Sequence, residues 1–89
     1  AYPNPFNPAT TFTIIIGEDQ GSTPMVLNIY DLRGRLVASI DLSHLGPGEH
    51  QLTWVANNTM GHGLASGVYF AVLESSYFHG KPIKLLLLR

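Results

Sequence analysis

Gly67-Val68-Tyr69-Phe70-Ala71-Val72-Leu73-Glu74 is the stretch whose reading decides the fold. As a strand it places Val68, Phe70 and Val72 on one face and Tyr69, Ala71 and Leu73 on the other, because strand side chains alternate. Both faces are apolar. A strand at the rim of a sheet normally carries charge or proline that discourages stray pairing, and neither appears here before Glu74. The stretch is therefore expected in the interior of a sheet, with Val68, Phe70 and Val72 in the core. Gly67 opens it after Ser66, where glycine permits a backbone bend that a larger residue resists.

Reading outward, Lys81 to Arg89 follows as a strand after a turn over Ser75 to Gly80. His50 to Val55 precedes it, opened by the turn Gly46-Pro47-Gly48-Glu49, with His50, Leu52 and Trp54 on one face. The connection from Ala56 to Ala65 is long for a hairpin and is expected to bridge two sheets. Met25 to Asp31 and Arg35 to Ile40 form the clearest hairpin, closed at Leu32-Arg33-Gly34 with Gly34 in the left-handed position. Met25, Leu27 and Ile29 share one face of the first arm, and Leu36, Ala38 and Ile40 one face of the second. Asp31 is close enough to pair with Arg33 or Arg35. Thr10 to Ile16 is rich in β-branched residues and reads as a strand with Phe12, Ile14 and Ile16 together. The segment from Gly17 to Pro24 reads as a polar loop. Residues 1–9 hold prolines at positions 3, 5 and 8, which predicts a stiff, extended lead-in with Tyr2 and Phe6 as anchors, or a plain linker.

No helix-period stripe of useful length occurs; Leu42 to Leu45 is expected to form one short turn. Strands at short spacing with turn residues between them predict an all-β sandwich, with a barrel as the alternative. The core is assigned to Phe12, Leu27, Ile29, Leu36, Trp54, Val68, Phe70 and Val72, and Gly34 and Gly67 to turns.

The chain has 89 residues, enough for one small domain. Such a chain buries roughly 60–65% of its unfolded surface, so each large apolar residue matters. The formal charge of −1 gives no long-range attraction for nucleic acid or an anionic membrane. Without cysteine there is neither a disulfide framework nor thiol chemistry. The start at Ala1 with no initiator methionine or apolar signal segment reads as a domain cut from a longer protein. The longest aliphatic run, Leu85 to Leu88, is too short to cross a bilayer as a helix.

The residues name no reaction. His44, His50, His62 and His79 do not stand at ligand spacing, and no dense carboxylate cluster joins them. Ser66 is fourth in Gly63-Leu64-Ala65-Ser66-Gly67, not central as in a nucleophile elbow. Neither Glu18-Asp19 nor the loop from Asn57 to Gly63 has the alternating carboxylates of a calcium loop. Asn57-Asn58-Thr59 matches a glycosylation acceptor, a short pattern common by chance. No cofactor is expected. Trp54, Tyr30 and Tyr69 together suggest a sugar-binding surface, although a lone strand tryptophan is more often core. The unusual feature is the tail: leucine falls on both faces of the last strand, with Lys81, Lys84 and Arg89 around it. Either another layer covers it or it is presented to a partner, as in strand addition.

Five blocks carry a family resemblance: Tyr2-Pro3-Asn4-Pro5-Phe6-Asn7-Pro8-Ala9-Thr10-Thr11; Ile29 to Val37; Gly46-Pro47-Gly48 on to Trp54; Leu64 to Phe70; and Lys84 to Arg89. In this order the chain resembles the C-terminal sorting domain of type IX secretion cargo, and is similar to the immunoglobulin-like domain of flagellar hook-capping proteins. The resemblance covers essentially the whole chain. It implies an immunoglobulin-like β-sandwich of about seven antiparallel strands at the C-terminus of a larger secreted protein, often a hydrolase or adhesin. It further implies partners: an upstream cargo domain, the outer-membrane secretion machinery, and a sortase-like protease that removes the domain as cargo is attached to surface lipopolysaccharide. Residues 1–89 are then a single non-catalytic sorting domain, bound for secretion or the cell surface through periplasm and outer membrane. Lys84, Leu85, Leu86, Leu87, Leu88 and Arg89 become the expected partner contacts, Lys84 and Arg89 foremost. The family commonly has aspartate after the tryptophan, whereas Val55-Ala56-Asn57 follow Trp54 here. The competing readings are a carbohydrate-binding accessory module of a secreted polysaccharide-degrading enzyme and a structural immunoglobulin-like spacer.

Overall fold

The computed structural model describes residues 1–5, 7–17, 24–75 and 78–89. The strands are β1 (Ala9–Ile16), β2 (Met25–Asp31), β3 (Leu36–Asp41), β4 (Gly48–Val55), β5 (Gly67–Ser75), β6 (Phe78–His79) and β7 (Ile83–Leu87). Among the described residues there is no helix. β1 and β4 pair antiparallel as one sheet, and β3, β2 and β5 follow one another in the second, with β6 and β7 both on the far edge of β5. The two-residue β6 and the five-residue β7 are halves of one interrupted strand. Glu74 faces His79 and Ala71 faces Ile83, so one residue is extra on the β6–β7 side, a bulge over Gly80-Lys81-Pro82. β5 is thus interior to its sheet, as the absence of charge before Glu74 predicts.

Phe12, Ile14 and Ile16 from β1, Trp54 from β4, Met25, Leu27 and Ile29 from β2, and Leu85 and Leu87 from β7 meet between the sheets. The loop from Ala56 onward crosses from β4 to β5, from one sheet to the other. Leu42 to Leu45 closes one turn, Leu45 N–H donating to the Leu42 carbonyl at 3.0 Å.

Three expectations are corrected. On β5 the core face is Tyr69 and Ala71, while Val68, Phe70 and Val72 lie half-buried on the outer face. The register decides this. Ile29 and Leu27, on the inner face of β2, stand opposite Ala71 and Leu73. With two apolar faces the strand cannot choose by itself; its neighbour chooses for it. Leu36 is 54% exposed. A bulge lies between Ile29 and Tyr30, which pair with Ala38 and Leu36 respectively, so Val37 is extra and Leu36 loses the parity of Ala38. The lead-in is not extended. It doubles back: Tyr2 and Thr11 exchange backbone hydrogen bonds of 2.9 and 2.8 Å, and Thr10 Oγ1 donates to the Pro3 carbonyl at 2.8 Å. Tyr2 is exposed rather than an anchor. Phe6, most of the loop after Gly17 with Glu18-Asp19, and Ser76-Tyr77 of the last turn lie outside the described residues.

The β2–β3 hairpin is set by Asp31. Its Oδ1 accepts the N–H groups of Arg33 and Arg35, each at 2.9 Å, and its Oδ2 accepts Arg35 Nε at 2.9 Å. Gly34 takes φ +84°, the left-handed value that its position requires. The backbone bond from Arg35, joined by its guanidinium and the Arg33 N–H, holds the Asp31 carboxyl below the usual carboxylate range. A depressed folded-state value means stabilisation that is present above the ordinary carboxylate pKa of about 4 and is lost as pH falls through the lower folded value. Urea titrations between pH 5 and pH 2 are therefore expected to show a smaller loss of stability in Asp31→Asn than in the unchanged domain.

Leu85 has no exposed surface. Leu85→Ala is expected to cost about 2–5 kcal/mol in chemical denaturation, against less than about 1 kcal/mol for Leu36→Ala.

Candidate functional site

The last strand and what touches it form the candidate site. From Leu85 to Leu88 the tail alternates between buried and accessible residues, whereas Ile83 at the start of β7 is exposed. Leu85 and Leu87 are wholly buried in the core between the sheets, whereas Lys84 and Leu88 are exposed and Leu86 is half-buried. Leu85 and Leu87 are therefore core, not partner contacts, because the strand that carries them is paired with β5 from Gly67 to Ala71. Arg89 is also turned to internal use. Its Nε donates to the Leu64 carbonyl at 2.5 Å, a guanidinium N–H to the Ala56 carbonyl at 2.9 Å, and its backbone N–H to Ser66 Oγ at 2.9 Å. A β-carbon on Gly63 would lie 3.2 Å from the guanidinium, so the glycine leaves room for it. Arg89 fastens the inter-sheet loop, and Lys84, Leu86 and Leu88 remain as the accessible part of the tail.

The outer edge of β7 is met by the lead-in. Asn4 Nδ2 donates to the Lys84 carbonyl at 2.9 Å, and Asn4 Oδ1 accepts the Leu86 N–H at 2.9 Å. One side-chain amide thus occupies a carbonyl and an N–H that point away from β5. Asn4, Pro5, Lys84 and Leu86 line a shallow groove of about 270 Å³ there. Nothing in the pattern of a proline-rich lead-in signals this contact, since 80 residues separate its partners.

The outer face of the larger sheet carries a polar group that sequence reasoning misses. Asn28 Nδ2 donates to Glu74 Oε2, Tyr30 Oη donates to both Glu74 oxygens at 3.1 Å, and Ser39 Oγ donates to Asn28 Oδ1 at 2.7 Å. His79 Nδ1 lies 3.5 Å from Glu74 Oε1. Burial, and then the Glu74 carboxylate, push the Tyr30 hydroxyl above its ordinary value. The available signal was the alternation of Asn28 and Tyr30 with the apolar residues of β2, but their cross-strand partner could not be known without the register. Within the network each named donor meets an acceptor.

The sugar-binding residues are not brought together. Trp54 is 7% exposed in the core, and Tyr69 is buried with its hydroxyl donating to the Ala65 carbonyl at 2.7 Å. Tyr30 sits on the outer face of the larger sheet, away from the core that holds the other two. His50 Nε2 donates to the Gly46 carbonyl at 2.7 Å, a turn contact. Among the described residues no group of three metal-ligating side chains occurs.

Two antiparallel sheets closed over one core, with the tail strand on the outer edge of β5, define an immunoglobulin-like β-sandwich. Residues 4–77 match the model of the FlgD Ig-like domain, and the chain belongs to that family. The crystal structure of dimeric latent PorU from Porphyromonas gingivalis is similar with a TM-score of 0.76 and 26% identity over 98% of this chain. The chain spans only 9% of that protein's chain. No curated protein matches.

The position of Arg89 generates a test. Arg89→Ala should lower stability by about 1–3 kcal/mol, the scale of losing hydrogen bonds from a charged group. Arg89→Lys should recover less than half of that, because an ammonium lacks the planar fork that reaches two carbonyls. Thermal or urea melts of the three proteins decide it.

Proposed function

We propose that the chain is a non-catalytic sorting module, carried at the C-terminal end of a larger cargo protein, that directs the cargo through type IX secretion to the cell surface. The observation that carries this reading is the PorU comparison. Nearly the entire domain corresponds to a small part of a type IX secretion protein, with matching fold. A module that makes up so little of a long chain serves the rest of that chain. The partners of this reading are the upstream cargo, the outer-membrane secretion machinery and a sortase-like protease. The domain contributes a recognisable surface and no chemistry of its own.

Within the tail, the surface belongs to Lys84, Leu86 and Leu88. Lys84 and Leu86 lie on the outer face of β7, Leu88 follows directly after its end, and the face continues onto the half-buried Val68, Phe70 and Val72 of β5, since Phe70 stands opposite Lys84 and Val68 opposite Leu86. The result is an apolar strip with a cation at its margin. Membership in the FlgD Ig-like family favours a second reading, a structural spacer, and position in the chain separates the two. A spacer tolerates relocation; a terminal address does not.

A reporter fused upstream of the domain is expected at the cell surface of a type IX-secreting bacterium. The same reporter carrying Lys84→Glu and Leu88→Glu is expected to remain in the periplasm, while the isolated variant domain keeps its melting midpoint. Surface display of the folded double variant, or display with the domain moved ahead of the reporter, would overturn the proposal.

A further inference from the structure

We infer that the outer edge of β7 is a strand-addition site for an extended, acidic partner segment, and that Asn4 closes it in the free domain. The inference rests on the sorting reading for the source of the partner, but its geometry is independent of it.

Lys84 C=O and Leu86 N–H point away from β5, in the direction in which a further strand would lie. Asn4 supplies to these atoms the same pair of groups that a peptide supplies, one N–H and one C=O, at 2.9 Å each. The side chain stands where the backbone of a neighbouring strand would stand. The contact spans the ends of the chain and involves only an exposed amide on a segment of bends outside any strand, so an incoming backbone can replace it without disturbing a ladder. Other edges of the same sheet are interrupted differently. On β3 the Val37 carbonyl is bonded by Thr59 N–H at 3.2 Å, and the β6 end of the tail edge runs into the bulge at Gly80-Lys81-Pro82.

Charge selects the partner. Lys81 and Lys84 are exposed beside the edge, and neither has a carboxylate partner among the described residues. Leu86 lies on the same outer face, and Leu88 follows directly after the strand's end. An extended segment that alternates apolar and acidic side chains would set its carboxylates by the lysines and its apolar side chains against the strip from Leu86 to Val68. A basic or uncharged segment would gain the hydrogen bonds without the ion pairs. Because Asn4 must leave first, apparent affinity is reduced by the fraction of molecules in which the edge is closed.

The test uses the 89-residue chain and a blocked peptide of alternating valine and glutamate, followed by amide chemical shifts. The unchanged domain should bind weakly, with shifts at Lys84, Leu86 and Leu88. Asn4→Ala should bind about tenfold more tightly, and Asn4→Ala with Lys84→Glu should lose that gain. A valine–lysine peptide should not bind. Folding of each variant is checked by dispersion of the core amides. Absent shifts on β7 in folded Asn4→Ala, shifts centred elsewhere, or affinity indifferent to Asn4 each overturn the inference. If the peptide binds as expected while the reporter ignores the domain, the sorting reading fails and the edge site stands. If the reporter is sorted while the peptide leaves β7 untouched, the reverse holds.

Discussion

Ala71 has Ile29 of β2 on one side and Ile83 of β7 on the other, and no part of it reaches solvent. That double pairing of β5 is the constraint from which the rest follows. A strand with two apolar faces and no charge along most of its length is a liability if either edge is open. β2 closes one edge from Tyr69 to Ser75. The other is closed by the end of the chain, in two short pieces separated by a bulge. The C-terminal residues are therefore not an appendage to a finished domain. Without Leu85 and Leu87 the core loses two wholly buried side chains, and β5 becomes a rim strand. A tail that is half core and half surface can be read by a partner only through the residues and backbone groups that β5 leaves over.

The same constraint explains why the two ends of the chain are found together. β7 is itself a new edge, and it is treated as such: Lys81 and Pro82 mark its start, and Asn4 is set on its middle. Arg89 extends the closure past the last paired residue by bonding the carbonyls of Ala56 and Leu64. Each of these contacts is worth little alone, since exposed hydrogen bonds contribute on the order of 1 kcal/mol. Together they fasten the lead-in and the Ala56 and Leu64 parts of the inter-sheet loop to the tail.

How much of this could be read from residues alone depends on what each residue signals locally. The hairpin around Gly34 was legible because Asp31, Gly34 and Arg35 act within five positions. The interior position of β5 was legible because no charge occurs in it before Glu74. The choice of its core face was not, because Val68-Phe70-Val72 and Tyr69-Ala71-Leu73 are equally apolar and the decision belongs to Ile29 and Leu27 across the ladder. Leu36 misled because a bulge changes parity without leaving a glycine or proline to announce it. In the tail, the alternation that buries Leu85 and Leu87 could have been inferred from period two. The internal use of Arg89 and the contact of Asn4 could not, being between residues far apart in sequence.

The outer polar network shows how such a face is kept in register. β5 could in principle slide by one residue along β2 and still present apolar side chains inward, since both of its faces qualify. The slide would carry Val68, Phe70 and Val72 into the core and turn Glu74 inward with them. In the observed register Glu74 lies opposite Val26, diagonal to Asn28, and within reach of the Tyr30 hydroxyl. A shifted Glu74 would face Ile and Leu with no donor to meet it, and an unpaired buried carboxylate costs several kcal/mol or is protonated. The network therefore contributes more to specificity than to stability. It disfavours the one-residue slides that hydrophobicity alone permits, and in doing so it helps fix which face of β5 lines up with Leu86 and Lys84 on the surface.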